Sequence, residues 1–146
     1  MSDVQISISR VFEASRERVW QEWTEPERFA DWFGGPTSDI PLETVTMDVR
    51  PGGAWRLTMF AEPKRRRIDW HGSYLEVEPP ARLVFSVTDQ PGDDRFAIVT
   101  VVFSELPDDR TEMAFEQTGP LPPELVEATK RGWGVFFDRI DERLQI

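Results

Sequence analysis

Hydrophobic and polar positions alternate at the start of the chain, where Val4, Ile6 and Ile8 fall on one side of the pattern. A period of two is typical of a strand that buries one face. Similar short segments follow, separated by turn residues such as Pro51-Gly52-Gly53 and Pro79-Pro80. Because no segment between the strands from residue 39 to residue 115 is long enough for a helix, these strands are expected to pair as an antiparallel meander. The strands are predicted near residues 4–13, 40–50, 53–60, 67–77, 82–88, 95–104 and 110–117.

Helical patterns flank these strands. Ser15 and Thr24 are each suited to cap a short helix after the first strand, and Gly34-Gly35 ends the second helix. Beyond Pro123, apolar residues recur every three or four positions over about 23 residues, the pattern of an amphipathic helix roughly 34 Å long. The predicted order is βααββββββα, an α+β fold in which a curved antiparallel sheet of about seven strands wraps a long C-terminal helix. Residues 1–146 are expected to form one domain.

Composition and charge narrow the class of protein. The hydrophobic fraction of 39% supports a folded core, and the net charge of −10 opposes binding to nucleic acid. The chain has no cysteine and no basic N-terminal segment followed by an apolar run, so neither disulfides nor secretion is indicated. No apolar stretch approaches the roughly 18 residues that a membrane span needs. These observations predict a cytoplasmic protein without membrane insertion, whose basic run at residues 64–67 is a solvated hairpin tip.

Few residues offer catalytic chemistry. His71 is the only histidine, which excludes histidine metal clusters and Ser-His-Asp triads by count. Strand periodicity places His71 on the face opposite Trp70 and Tyr74. An exposed or structural histidine is the simpler interpretation, although a single histidine can also move a proton or orient a ligand. The sequence therefore predicts no metal, no cofactor and no assigned catalytic residue.

Aromatic residues are the most informative set, with six Trp and ten Phe in the chain. In the last helix, Gly132 and Gly134 bracket Trp133, and glycine in a helix costs about 1 kcal/mol relative to alanine. Close packing, a local bend or space for a ligand would each offset that cost. Aromatic side chains either fill a core or line a pocket for a flat molecule. The residues predicted to line such a cavity are Trp55, His71, Tyr74, Phe85, Thr129, Trp133, Phe136 and Phe137.

Several sequence strings together resemble one known family. They are ISRVFEAS at 8–15, RVW at 18–20, TEPERFADWF at 24–33, VRPGGAWR at 49–56, GSYLEVEPPARLVF at 72–85 and GW at 132–133. Along essentially its whole length, the chain resembles the activator of heat-shock-protein-90 ATPase homologue-like family. That family lies within the START-like, Bet v 1-like superfamily. The resemblance implies the helix-grip fold, with a cavity between the long helix and the sheet.

Three functions are compatible with this resemblance. The first is binding of a small hydrophobic or aromatic molecule in the cavity, oriented by Tyr74 or His71. The second is an enzyme similar to polyketide cyclases, in which His71 and Tyr74 move protons and Arg56 stabilises an oxyanion. The third is an interaction module, either a chaperone regulator or a homodimer, with Trp32-Phe33 as an exposed patch. The first is favoured because of the fold that the resemblance implies and the aromatic face of the last helix; the ligand and the choice between monomer and homodimer stay open.

Overall fold

An antiparallel sheet of eight strands and a long C-terminal helix dominate the computed structural model, which describes residues 4–89, 96–119 and 121–145. The elements are β1 (Val4–Phe12), α1 (Arg16–Thr24), α2 (Pro26–Trp32), β2 (Ser38–Asp39), β3 (Thr46–Met47), β4 (Ala54–Ala61), β5 (Arg66–Glu78), β6 (Arg82–Val87), β7 (Ala97–Leu106), β8 (Arg110–Thr118) and α3 (Pro123–Leu144). The strand order is β1-β8-β7-β6-β5-β4-β2, with β3 also paired to β4. This architecture confirms the predicted helix-grip fold, and residues 62–65 form the exposed turn between β4 and β5.

The single strand predicted over residues 40–50 is wrong. In its place the chain forms a 3₁₀ helix at Leu42–Thr44, followed by the two-residue strand β3. Pro41 has no N–H to donate to a neighbouring strand. The Thr44 hydroxyl donates to the Pro41 carbonyl at 2.7 Å and accepts from the Thr58 N–H at 3.1 Å. A side-chain bond therefore replaces part of the backbone pairing along β4.

The two short helices lie where the pattern predicts them, but the second cap differs. Ser15 caps α1 by accepting a backbone N–H of the first turn at 3.3 Å. Glu25 rather than Thr24 is the N-cap of α2, because the Thr24 hydroxyl donates to the Trp20 carbonyl at 2.9 Å. Pro26 occupies the first helical position, where its missing N–H has no intrahelical partner to lose. The first cap is confirmed and the second prediction is wrong.

Gly72 allows β5 to belong to both halves of the sheet. One part of β5 pairs with β4 and the other with β6. A Cβ atom at Gly72 would lie 1.8 Å from the Ser86 carbonyl oxygen, so a larger residue does not fit without a backbone shift. The same carbonyl accepts a hydrogen bond from Trp55 Nε1 at 3.0 Å. The close approach at Gly72 thus lies near the place where β5 passes from pairing with β4 to pairing with β6.

The C-terminal half of α3 fills the core. Phe137 is fully buried, and its ring centroid lies 5.2 Å from that of Phe115 on β8 and 6.1 Å from that of Trp23 on α1. Ile140, one turn further along, is also fully buried. These contacts hold α3 against the sheet and the first helix. Among the described residues, none of the helices is long and apolar enough to cross a membrane.

A buried carboxylate joins the three helices. Glu22 of α1 is fully buried and forms ion pairs with Arg18 and Arg143, both at 2.6 Å, and with Arg28 at 3.6 Å. Arg143 comes from the last turn of α3 and also pairs with Asp31 of α2. The hydrogen bond that Arg143 donates to Glu22 is the main reason that the pKa of Arg143 lies above its usual value. The network ties the end of α3 to both short helices.

Candidate functional site

A cavity of about 860 Å³ lies between α3 and the inner face of the sheet, partly open to solvent. Each of five neighbouring strands contributes one residue to its wall, namely Met59, Trp70, Val87, Ala97 and Gln117. The opposite wall is a single stripe of α3 at helical spacing, formed by Thr129, Gly132, Trp133 and Phe136. The surface is mostly apolar, which suits an apolar ligand.

Three of the predicted cavity residues reach this site. Thr129, Trp133 and Phe136 all line the cavity from α3. Gly132 lies on the same stripe, and a Cβ atom there would have no neighbour within 4 Å outside the local helix. Of the three explanations for the helical glycines, the structure favours open space at Gly132. At Gly134 a Cβ atom would lie 3.8 Å from Nη2 of Arg10, an ordinary contact distance, and the structure does not explain the glycine there.

Four other predicted residues lie in the core instead of lining the cavity. Trp55, Tyr74 and Phe85 are buried in the core, and α2 covers Trp55. Phe29 of α2 packs on Trp55 at 6.0 Å between ring centroids, and Phe85 packs on Trp55 at 5.8 Å. Phe137 follows the cavity stripe of α3 and is fully buried. These four residues therefore lie outside the wall of this cavity.

Tyr74 is sealed in this core rather than available to a ligand. Its ring lies 6.2 Å from that of Phe85, and only 2% of the residue is exposed. Burial is the main cause that raises the pKa of Tyr74 well above its usual value, and the negative charge of Asp48 adds to it. The phenol stays protonated and has no route to accept or release a proton in the cavity.

His71 lies on the outer face of the sheet. It pairs across β4 and β5 with Arg56, in the register that alternates with the inward Trp55 and Trp70. Both His71 and Arg56 border a separate outer groove. In that groove Asp69 accepts a hydrogen bond from the Thr58 hydroxyl at 2.9 Å. This hydrogen bond is the main reason that the pKa of Asp69 lies below its usual value.

Strand alternation therefore separates the groups proposed for proton transfer. His71 and Arg56 are on one side of the sheet and Tyr74 is in the core on the other. The structure does not assemble the three residues expected for a cyclase-like reaction, and the proposed orienting role of His71 in the cavity is wrong. The alternation was visible in the sequence, where His71 and Trp70 occupy opposite phases.

The exposed patch expected at Trp32-Phe33 is also absent from the surface. Trp32 is fully buried, and its Nε1 donates to the Glu22 carbonyl at 2.7 Å. Phe33 is 4% exposed, contributes to the cavity wall and packs on Phe136 with ring centroids 5.7 Å apart. The residues proposed as a partner surface therefore serve the core and the cavity.

Gln117 is the functional candidate that the sequence reasoning missed. It lies on the inner face of β8, in phase with the buried Met113 and Phe115. Its Oε1 accepts a hydrogen bond from Trp133 Nε1 at 2.8 Å, which links the two walls of the cavity. The sequence signal that could have identified Gln117 is that a polar residue occupies the next inward position after two apolar ones.

Sequence comparison agrees with the geometry of the fold. Residues 13–145 match the family described as "Activator of Hsp90 ATPase homolog 1-like protein". The chain belongs to this family. Comparison with the curated proteins gives no match.

Several solved structures have the same fold as this chain. Protein CV1439 from Chromobacterium violaceum has a TM-score of 0.84 at 24% identity, covering 100% of this chain and 99% of that chain. The AHSA1 protein SPO3351 from Silicibacter pomeroyi has a TM-score of 0.81 at 17% identity, covering 96% of each chain. DynU16, a protein of the dynemicin biosynthetic locus, has a TM-score of 0.76 at 22% identity, covering 99% of this chain and 48% of that chain. At these identities the likeness concerns the fold alone.

Proposed function

We propose that this protein binds a small hydrophobic or aromatic molecule in the cavity between α3 and the sheet. The observation that carries the proposal is the cavity itself, about 860 Å³ with aromatic and aliphatic walls. Pockets for small organic ligands have volumes of roughly 300–1,000 Å³ and similar linings. The rings of Trp133 and Phe136 offer flat apolar surfaces to a flat ligand.

The glycine at position 132 supports the same proposal. In a helix interior it is less favourable than alanine by about 1 kcal/mol. Outside the local helix, no group in the described structure lies within 4 Å of the position that its Cβ would occupy. Glycine there keeps the helix wall of the cavity open, which is useful if the space receives a ligand.

Binding is favoured over the two alternative functions. A cyclase-like reaction lacks its proposed proton donors, because His71 and Arg56 face away from the cavity and Tyr74 is buried. A chaperone or dimer contact through Trp32 and Phe33 lacks its surface. The origin of DynU16 in a biosynthetic locus supports small-molecule handling by this fold.

Ligand titration with tryptophan fluorescence as the readout tests the proposal, since Trp70 and Trp133 line the cavity. A panel of polycyclic aromatics, flavonoids and fatty acids is expected to include compounds that give saturable quenching. Gly132→Leu places a side chain in the cavity and is expected to weaken binding at least about tenfold, which corresponds to about 1.4 kcal/mol.

Gly134→Leu is the matched control for this experiment. It makes the same change two residues away on α3, at a position that does not line the cavity. Its affinity is expected to stay within about threefold of wild type, a difference below about 0.7 kcal/mol. Absence of quenching across the panel, or equal losses in both variants, would contradict the proposal.

A further inference from the structure

The amide of Gln117 has a defined orientation at the wall of the cavity. The residue is 7% exposed, and an indole N–H can only donate a hydrogen bond. The atom that accepts from Trp133 Nε1 at 2.8 Å is therefore the amide oxygen, Oε1. The opposite end of the amide is Nε2, which carries two N–H donors.

These two donors have no acceptor in the part of the chain that the structure describes. Within the described structure, Nε1 of Trp70, another residue of the wall, is sealed from solvent without a partner, and Nε2 of Gln117 is not. The amide nitrogen is thus accessible from the cavity, while Trp70 offers only its ring carbons. Donors in a largely apolar cavity favour a ligand that can accept from them.

The charge of the site limits what that acceptor can be. Among the described residues of the wall, the only ionisable side chain is the carboxyl group of Asp89, and no Lys, Arg or His is present. The whole chain carries a net charge of −10. A carboxylate ligand such as a fatty acid would lose water without meeting a cation at the described wall, and the field of the protein opposes it.

We infer that the ligand is a neutral aromatic compound with a carbonyl oxygen, such as a ketone or quinone, and that Gln117 Nε2 donates a hydrogen bond to this oxygen. The inference rests on the proposed ligand-binding function and specifies its substrate class. Trp133 acts as a positioning residue, because its indole holds the amide oxygen and turns the nitrogen away from itself. Thr129 offers a hydroxyl that both donates and accepts, so it does not select for acceptors.

Matched ligands of one shape test the hydrogen bond. Anthracene has no acceptor, 9,10-anthraquinone adds carbonyl oxygens, and both are titrated against the full-length protein by tryptophan quenching. Wild type is expected to bind anthraquinone about tenfold more tightly than anthracene. Gln117→Met is expected to bind the two compounds with about equal affinity. Its affinity for anthracene is expected to stay within about threefold of that of wild type. Gln145→Met, the same change at an exposed residue outside the cavity wall, is expected to keep the preference.

A second variant and a spectroscopic readout separate donation from a structural role. Gln117→Glu keeps an oxygen for Trp133 Nε1 and replaces the Nε2 donor, so it is expected to lose the preference even where Gln117→Met proves unstable. In the wild-type complex the carbonyl stretching band of anthraquinone is expected at lower frequency than in Gln117→Glu, because a donated hydrogen bond weakens the C=O bond. An unshifted band in wild type would overturn the inference.

The charge requirement has its own ligand pair. Anthraquinone-2-carboxylate and its methyl ester differ in charge with similar ring systems, and the ester is expected to bind at least about tenfold more tightly. Equal or tighter binding of the carboxylate would overturn the neutral class. Equal binding of anthracene and anthraquinone would overturn the hydrogen bond and leave the proposed function standing. Binding of none of the four compounds would count against the proposed function, and the inference would fall with it.

Discussion

Gly132 lowers the stability of α3 relative to alanine, but it leaves space at the wall of the cavity. Nothing lies within 4 Å of the place where its Cβ would be, outside the local helix. Gly132→Ala is therefore expected to raise the free energy of unfolding by about 0.5–1 kcal/mol, through helix propensity alone. Urea denaturation followed by circular dichroism measures this change. A decrease in stability would show that the space beside Gly132 is not open.

Tyr74 connects burial to pH dependence at the scale of one side chain. Burial, with the charge of Asp48, raises the pKa of Tyr74 in the folded state above the usual value of about 10. The stabilisation from burying the neutral phenol is complete below pH 10 and is lost as the pH rises toward the folded-state pKa. The free energy of unfolding is expected to fall above about pH 10.

Tyr74 is the only tyrosine, so tyrosinate absorbance reports on it alone. In the folded protein this absorbance is expected to appear well above pH 10, the value near which an exposed tyrosine ionises. Tyr74→Phe provides the control, since it removes both the signal and this contribution to the alkaline loss of stability. Titration of the folded protein near pH 10 would contradict the buried position.

At the scale of elements, α3 divides its stripe between two tasks. Its first turns line the cavity through Thr129, Trp133 and Phe136, while Phe137 and Ile140 fill the core. The end of the helix is then attached to α1 and α2 through the ion pairs of Glu22 with Arg143 and its neighbours. The position of the cavity wall therefore depends on an attachment at the opposite end of the helix.

Glu22→Gln tests this attachment. The substitution removes a fully buried charge that pairs with Arg143, whose side chain is 18% exposed, and is expected to lower the free energy of unfolding by about 3 kcal/mol. Asp138→Asn is the matched control, because Asp138 pairs with Arg10 at 2.8 Å and attaches α3 to β1 from an exposed position. Its effect is expected to stay below about 1 kcal/mol. Chemical denaturation of both variants checks the difference, and equal effects would contradict the role of Glu22.

The whole molecule carries a net charge of −10 on 146 residues, and this charge has consequences beyond any one contact. Like charges repel across the folded surface, which opposes the compact state. Raising the salt concentration from about 10 mM to about 150 mM shortens the screening length to about 8 Å and is expected to increase Tm by a few degrees. Differential scanning calorimetry measures the shift. A lower Tm in salt would mean that the surface ion pairs outweigh the repulsion.

The sequence predicted local features well because they depend on near neighbours. The Ser15 cap, the turn around residues 62–65 and the opposite faces of Trp70 and His71 are all confirmed. The prediction for residues 40–50 is wrong because Pro41 and a hydrogen bond from Thr58, distant in sequence, override an alternating pattern.

The division between core and cavity could not be derived from the pattern. Trp55 and Met59 share the inner face of β4, yet Trp55 is covered by Phe29 of α2 and Met59 borders the cavity. Periodicity assigns a side chain to a face, but the helix that covers that face is placed by contacts across the whole fold. The sequence alone therefore identified the inner face of the sheet. It did not separate the residues of that face that line the cavity from those that are buried in the core.

By itself the sequence determined the order of the helices and long strands, the opposite faces of Trp70 and His71 and the stripe of α3, since periods of two and 3.6 and turn chemistry act locally. Only the tertiary structure decided that Gly132 meets open space and that Gln117 bonds Trp133 across 16 residues. The physical reason is that a cavity is the volume left between elements that are distant in sequence, and its size depends on how all of them pack together.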